Sequence, residues 1–169
     1  MSRNESRLIV SLCLVFLLAC APSASAETQP ASAQRALMWI ASLKPLSAGG
    51  WKYLTDGGST SDPLVVYFST HDIQSHRSII TAWFRWEMMK PETYLSFQYL
   101  SDVVRTEINC ATDSTRDFAI TYYSGNNLAG KNESQVENPN DEQWSPVVPG
   151  TIGEFIFDSV CAKKRMQRH

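Results

Sequence analysis

The sequence predicts an α+β domain, an antiparallel sheet carrying one C-terminal helix on a face. Three observations lead there. Short runs rich in β-branched and aromatic residues follow one another through tight connections, and nothing between them offers the crossover helix of a parallel sheet. One well-signalled amphipathic helix near the C-terminus needs a surface on which to bury its stripe, and the sheet is the available partner. Cys161 lies at the flank of that stripe, and Cys110 ends a strand.

The elements follow in chain order. Residues 1–26 form an export signal. Arg3 and Arg7 make its basic start, Leu8 to Leu18 its apolar run, and Ala24-Ser25-Ala26 its cleavage site before Glu27. The apolar run is shorter than the roughly 20 residues that span a bilayer, and no later run is longer, so no transmembrane segment is expected. A second maturation route competes. Leu17-Leu18-Ala19-Cys20 approximates a lipobox, in which Cys20 would be acylated and become the first residue. Residues 27–49 read as a linker, within which Gln34 to Lys44 suits a short helix with Ala36, Leu37, Ile40 and Leu43 on its apolar face. Residues 50–169 then form a single domain of ordinary size.

Trp51 to Leu54 reads as a first strand closed by a turn at Asp56-Gly57-Gly58, and Leu64 to Phe68 as a second. His71 to Arg77 is a polar connection. From Ile79 to Met88 both alternating sets contain apolar residues, which predicts a long central strand covered on each face. Val103 to Cys110 and Phe118 to Tyr123 complete five strands. Asn126 to Gln143, rich in Asn, Glu, Gln and Ser, reads as a loop. Thr151-Ile152-Gly153-Glu154 matches a capping box, and Ile152, Phe155, Ile156 and Val160 supply the helical stripe.

Cys110 and Cys161 are the cysteines left after either maturation route, apart from a lipidated Cys20. In an oxidising compartment they are expected to pair, which removes both thiols from the catalytic candidates.

Trp51, the Tyr67 to Ile73 segment, the Thr81 to Trp86 strand, Cys110, Tyr122-Tyr123-Ser124-Gly125, Trp144, Pro149 and Val160-Cys161 occur here in an order that resembles the surface-adhesin E domain. The resemblance spans roughly residues 50 to 162. It implies a curved sheet of about six strands with the helix held to its concave face by the disulfide. It also implies an exported or lipid-anchored protein of a Gram-negative bacterium, located in the periplasm or at the cell surface. The type member binds host matrix proteins such as vitronectin and laminin, so the implied partner is a host matrix or envelope protein. No host-binding segment of that member matches this chain residue by residue.

Composition narrows the chemistry. Loss of Arg3, Arg7 and Glu5 with the signal leaves 13 basic and 16 acidic side chains, a net charge of −3. A mildly acidic chain is a poor binder of nucleic acid. The basic cluster Lys163, Lys164, Arg165 and Arg168 reads as favourable charge at a helix C-terminus followed by a solvated tail. His71 and His76, spaced by five, find no third ligand nearby, so no metal and no cofactor is expected. Asp113, Asp117, Asp141 and Glu142 read as solvated loop carboxylates. No serine sits in a nucleophile elbow, and no catalytic residue is assigned.

Trp83 and Trp86 point to opposite faces of one strand, so one meets the helix and the other a second layer, a dimer partner or a ligand. The expected function is a non-enzymatic envelope or surface binding module. Its alternatives are a periplasmic structural or assembly accessory and a hydrolase with a dispersed site.

Overall fold

The computed structural model describes residues 31–43, 49–136 and 143–165, without the side chains of 136 and 163–165. The export signal, Cys20, Asp141, Glu142, Arg168 and the side chains of Lys163, Lys164 and Arg165 lie outside what is described. Helix α1 (Ala31–Leu43) precedes β1 (Trp51–Ser59), β2 (Asp62–Ser69), β3 (Gln74–His76), β4 (Ile79–Tyr94), β5 (Phe97–Asn109), β6 (Ser114–Gly125), β7 (Ala129–Val136) and β8 (Ser145–Pro146), and α2 (Ile152–Arg165) follows. Six strands run β1-β2-β4-β5-β6-β7, every neighbouring pair antiparallel, and form a curved half-barrel. The short β3 and β8 extend it beside β4 and β6.

The α2 side of the sheet holds the larger core. Val66, Ile80, Ala82, Phe84 and Ile108 pack there with Ile156 and Phe157 of the helix, and Trp86 lies against the cluster. Cys110 and Cys161 join the end of β5 to α2 across a Cα separation of 5.6 Å and 51 residues of chain. At the helix start, Glu154 N–H donates to Thr151 Oγ1 (3.3 Å), the first half of a capping box, while the Glu154 carboxylate reaches one residue past the N-cap and accepts from Gly150 N–H (2.8 Å). The opposite side has a smaller core, in which Ile40 and Leu43 of α1 meet Val65 and Tyr67 of β2.

Several expectations change. Asp56-Gly57-Gly58 is not a turn: β1 continues through it, and Thr60-Ser61 reverses the chain. Gly58 supplies a positive φ of 79° beside that reversal, and Gly57 serves packing. A Cβ on Gly57 would stand 2.5 Å from Ile152, so its absence lets α2 approach the sheet. The buried helix stripe runs through Ile156, Phe157 and Cys161, whereas Phe155 is exposed. Phe155 falls one position short of Ile156, about 100° round the helix.

Strands β4 and β5 extend far beyond the apolar runs and meet in a hairpin at Leu95-Ser96, where Leu95 adopts φ 53° without the glycine or asparagine that usually marks such a turn. Asp117 lies on β6 rather than in a loop, accepting a hydrogen bond from Thr106 Oγ1 (2.6 Å). Part of the polar stretch after Asn126 is strand β7. An edge strand exposed on its outer side can be built from polar residues because it buries little.

Candidate functional site

Period-two alternation along β4 sends Trp83, Arg85 and Glu87 to the face away from α2, and Phe84 and Trp86 to the helix side. The two tryptophans therefore separate. Trp86 packs on the core opposite Val66, and Trp83 does not. Among the described residues, helix α1 covers the β2 end of this second face and leaves a part over β4, β5 and β6 open.

A groove of about 360 Å³ occupies the open part. Its walls are the half-buried aromatic rings of Trp51, Trp83 and Tyr123, the apolar side chains of Val103 and Leu128, and polar groups of Ser69, Asp72 and Thr121. Sheet register builds it. Trp83 faces Arg105, Val103 faces Thr121, and Ser101 faces Tyr123, so a belt of side chains from three strands lies on one surface.

The Leu128 wall is held by a buried network. Glu87 is fully buried and accepts hydrogen bonds from Arg85 Nε (2.7 Å), from Asn126 Nδ2 (2.9 Å) and, through both oxygens, from Asn127 N–H (2.9 Å each). Arg85 also donates to Asn127 Oδ1 (2.9 Å) and lies over the Tyr67 ring at 4.7 Å. Ser101 Oγ donates to Gly125 O and accepts from Leu128 N–H. These bonds fix a turn in which Asn127 and Leu128 both have positive φ, at 63° and 58°. Burial raises the pKa of the Tyr67 hydroxyl, Arg85 opposes that rise, and Glu87 adds to it.

At the Trp83 end, the Arg105 guanidinium lies 5.6 Å from the Trp83 ring centre and 5.0 Å from that of Phe118. Beyond it, Arg116 pairs with Glu107 (2.7 Å) and covers the Trp144 ring at 4.6 Å.

The helix side carries a different cluster. Tyr94 and Tyr99 pack on Tyr122 with ring centres 4.5 Å and 4.7 Å apart. Asp102, the cross-strand neighbour of both Trp86 and Tyr122, is buried, and its Oδ1 has no hydrogen-bond partner among the described residues. Burial, then the charges of Asp117 and Glu87, push its pKa up to about 7. Burial, then Asp102 and Glu92, raise that of Tyr99.

His71 and His76 are both exposed, and no three metal-ligating side chains converge among the described residues. The sequence points to Trp83 and Trp86 alike, carries Tyr123 only within the family resemblance, and does not point to Arg105. The available signal was that Arg105 lies two positions after Val103, on the same face of the strand.

Two comparisons with known proteins return matches. Residues 51–162 match the family model described as surface-adhesin protein E. A crystal structure (form II) of Haemophilus influenzae protein E is similar at 14% sequence identity, covering 68% of this chain and 89% of that one, with a TM-score of 0.49. No curated protein matches the chain.

Proposed function

The chain belongs to the surface-adhesin protein E family, and from that premise we propose that it is an exported envelope binding module without enzymatic activity, which captures a protein partner in the Trp83 groove. Family membership suggests a surface-adhesin role and an exported protein of a Gram-negative bacterium. The observation that carries the groove assignment is the separation of the two tryptophans. Trp86 is used by the fold, whereas Trp83 stands half-buried beside Tyr123 and Trp51 on a surface that none of the described elements covers. Aromatic residues in a solvent-facing depression are the usual anchors of protein interfaces. The partner is an envelope or host matrix protein, and host matrix capture requires display on the cell surface.

The test is capture from envelope lysate and from purified host matrix proteins by wild type, Trp83→Ala and a surface control, Lys52→Ala. Trp83→Ala should keep the fold and lose the partner. Capture equal to wild type would overturn the groove assignment. Protease treatment of intact cells addresses display, because a surface module is digested and a periplasmic accessory is spared.

A further inference from the structure

Three arginines project on the face that carries the groove, and they differ in what they touch. Arg85 is paired with Glu87 and Asn127, and Arg116 with Glu107. The Arg105 side chain has no hydrogen bond or ion pair among the described residues; its guanidinium lies over the rings of Trp83 and Phe118. Its Nε is buried without a partner among the described residues, and the residue as a whole is only half-buried. Stacking on two rings pre-sets the guanidinium, so little side-chain freedom remains to be lost when an acceptor arrives. A planar cation with a fixed orientation and open donors suits a carboxylate, which takes two parallel N–H···O bonds.

The rest of the groove limits what can bring that carboxylate. Trp83 is both a ring beneath Arg105 and a wall of the groove, so the cation stands at its rim rather than on a separate patch. The apolar wall of Trp83, Val103, Leu128 and Tyr123 needs an apolar partner surface beside the charge. Asp72, the acidic residue of the lining, stands on the β2 side, away from Arg105 on β5, so a negative group is favoured toward β5 and disfavoured toward β2.

Resting on the groove assignment above, we propose that the partner presents an extended segment with alternating acidic and apolar residues, one carboxylate of which is bound by Arg105 while its apolar neighbours fill the groove. This makes Arg105 a selector of partner charge and Trp83 an anchor.

The probe is a fluorescein-labelled peptide of alternating glutamate and leucine, with a glutamine–leucine counterpart, titrated by fluorescence anisotropy against the full mature chain. Wild type should bind the acidic peptide about 10- to 100-fold more tightly than its neutral counterpart. Raising salt from about 50 mM to about 500 mM should erode that preference. Arg105→Gln should abolish it, and Arg105→Met, which keeps an unbranched chain between the rings, guards against a folding defect. Arg105→Lys should retain part of it as a point charge. Equal affinity of wild type for both peptides, or undiminished preference in Arg105→Met, would overturn the proposal. The groove assignment is judged separately: if Trp83→Ala loses lysate or matrix capture while wild type shows no peptide preference, the carboxylate inference fails and the groove stands.

Discussion

Arg85 and Glu87 sit two residues apart on β4, and their side chains meet at 2.6 Å with 4% and 0% of their surface exposed. Two residues apart on a strand means the same face, so the pair is built from one local segment and completed by a distant turn. Glu87 also receives Asn126 and Asn127, about 40 positions along the chain, and so ties the β6–β7 turn to the central strand.

Removing one partner strands the other. Glu87→Ala should therefore destabilise the domain by about 3 to 5 kcal/mol, because Arg85 would remain buried without its counter-charge. Replacing both, as Arg85→Met with Glu87→Leu, should recover much of that loss. Urea unfolding measures each, and a cost below about 1 kcal/mol for Glu87→Ala would show that the network does not hold the turn.

Asp102 predicts a pH dependence of definite sign. Its folded pKa is about 7, whereas an unfolded aspartate titrates near 3.9, so between those values the native protein holds a proton that the unfolded chain has released. The unfolded state then binds fewer protons, and this group's contribution to stability falls as pH rises through that window, by about 1.4 kcal/mol per unit at the steepest. Asp102→Asn removes the titrating group, so the variant should gain stability relative to wild type at about pH 8 and lose that advantage at about pH 5. Parallel unfolding curves for the two proteins at both pH values would rule out this role.

The cysteine pair predicts a covalent and an energetic result. Protein purified from the envelope without reductant should show no reactive thiol from Cys110 or Cys161. Closing so long a loop is worth about 4 kcal/mol in the chain-entropy model, and Cys161→Ser should cost about 2 to 5 kcal/mol. The matching change Cys110→Ser should cost a similar amount, and the double variant no more than either alone.

How much of this was legible follows from what each element buries. The strands around Val65 and Trp83 and the helix after Thr151 bury apolar faces, so their periodicity is written in the sequence. Strand β7 buries little, and its Lys131 to Gln135 segment looks like any polar loop. That Trp83 and Trp86 diverge follows from alternation alone. Which of them meets the helix did not, since both faces of β4 carry apolar residues and the choice depends on where α2 docks. The groove needs more still. Trp83, Val103 and Tyr123 become neighbours through the register of β4 on β5 and of β5 on β6, a long-range property that no local pattern encodes. The ion pair was hidden for a related reason, because charges on a strand are expected to point to water until a partner from elsewhere covers them.

Maturation predicts a mass. Cleavage after Ala26 should leave Glu27 as the first residue, matching the small-residue site and the apolar run before it. Intact-mass measurement of envelope protein decides this. An acylated Cys20 would overturn it and place the domain on a membrane surface behind a tether, with the fold unchanged.

The two tryptophans should respond oppositely to truncation. Trp86 lies against the core cluster opposite Val66 and beside the α2 contact, so Trp86→Ala should open a cavity and cost about 3 kcal/mol. Trp83 belongs to neither core cluster, and its inward contribution is a stacking contact with Arg105, worth about 1 kcal/mol. Trp83→Ala should therefore unfold close to wild type while the exposed groove loses one of its two indole rings. Thermal denaturation of the two variants side by side measures the difference. If Trp83→Ala destabilises as much as Trp86→Ala, Trp83 is a structural residue and its position in the groove no longer supports a binding role.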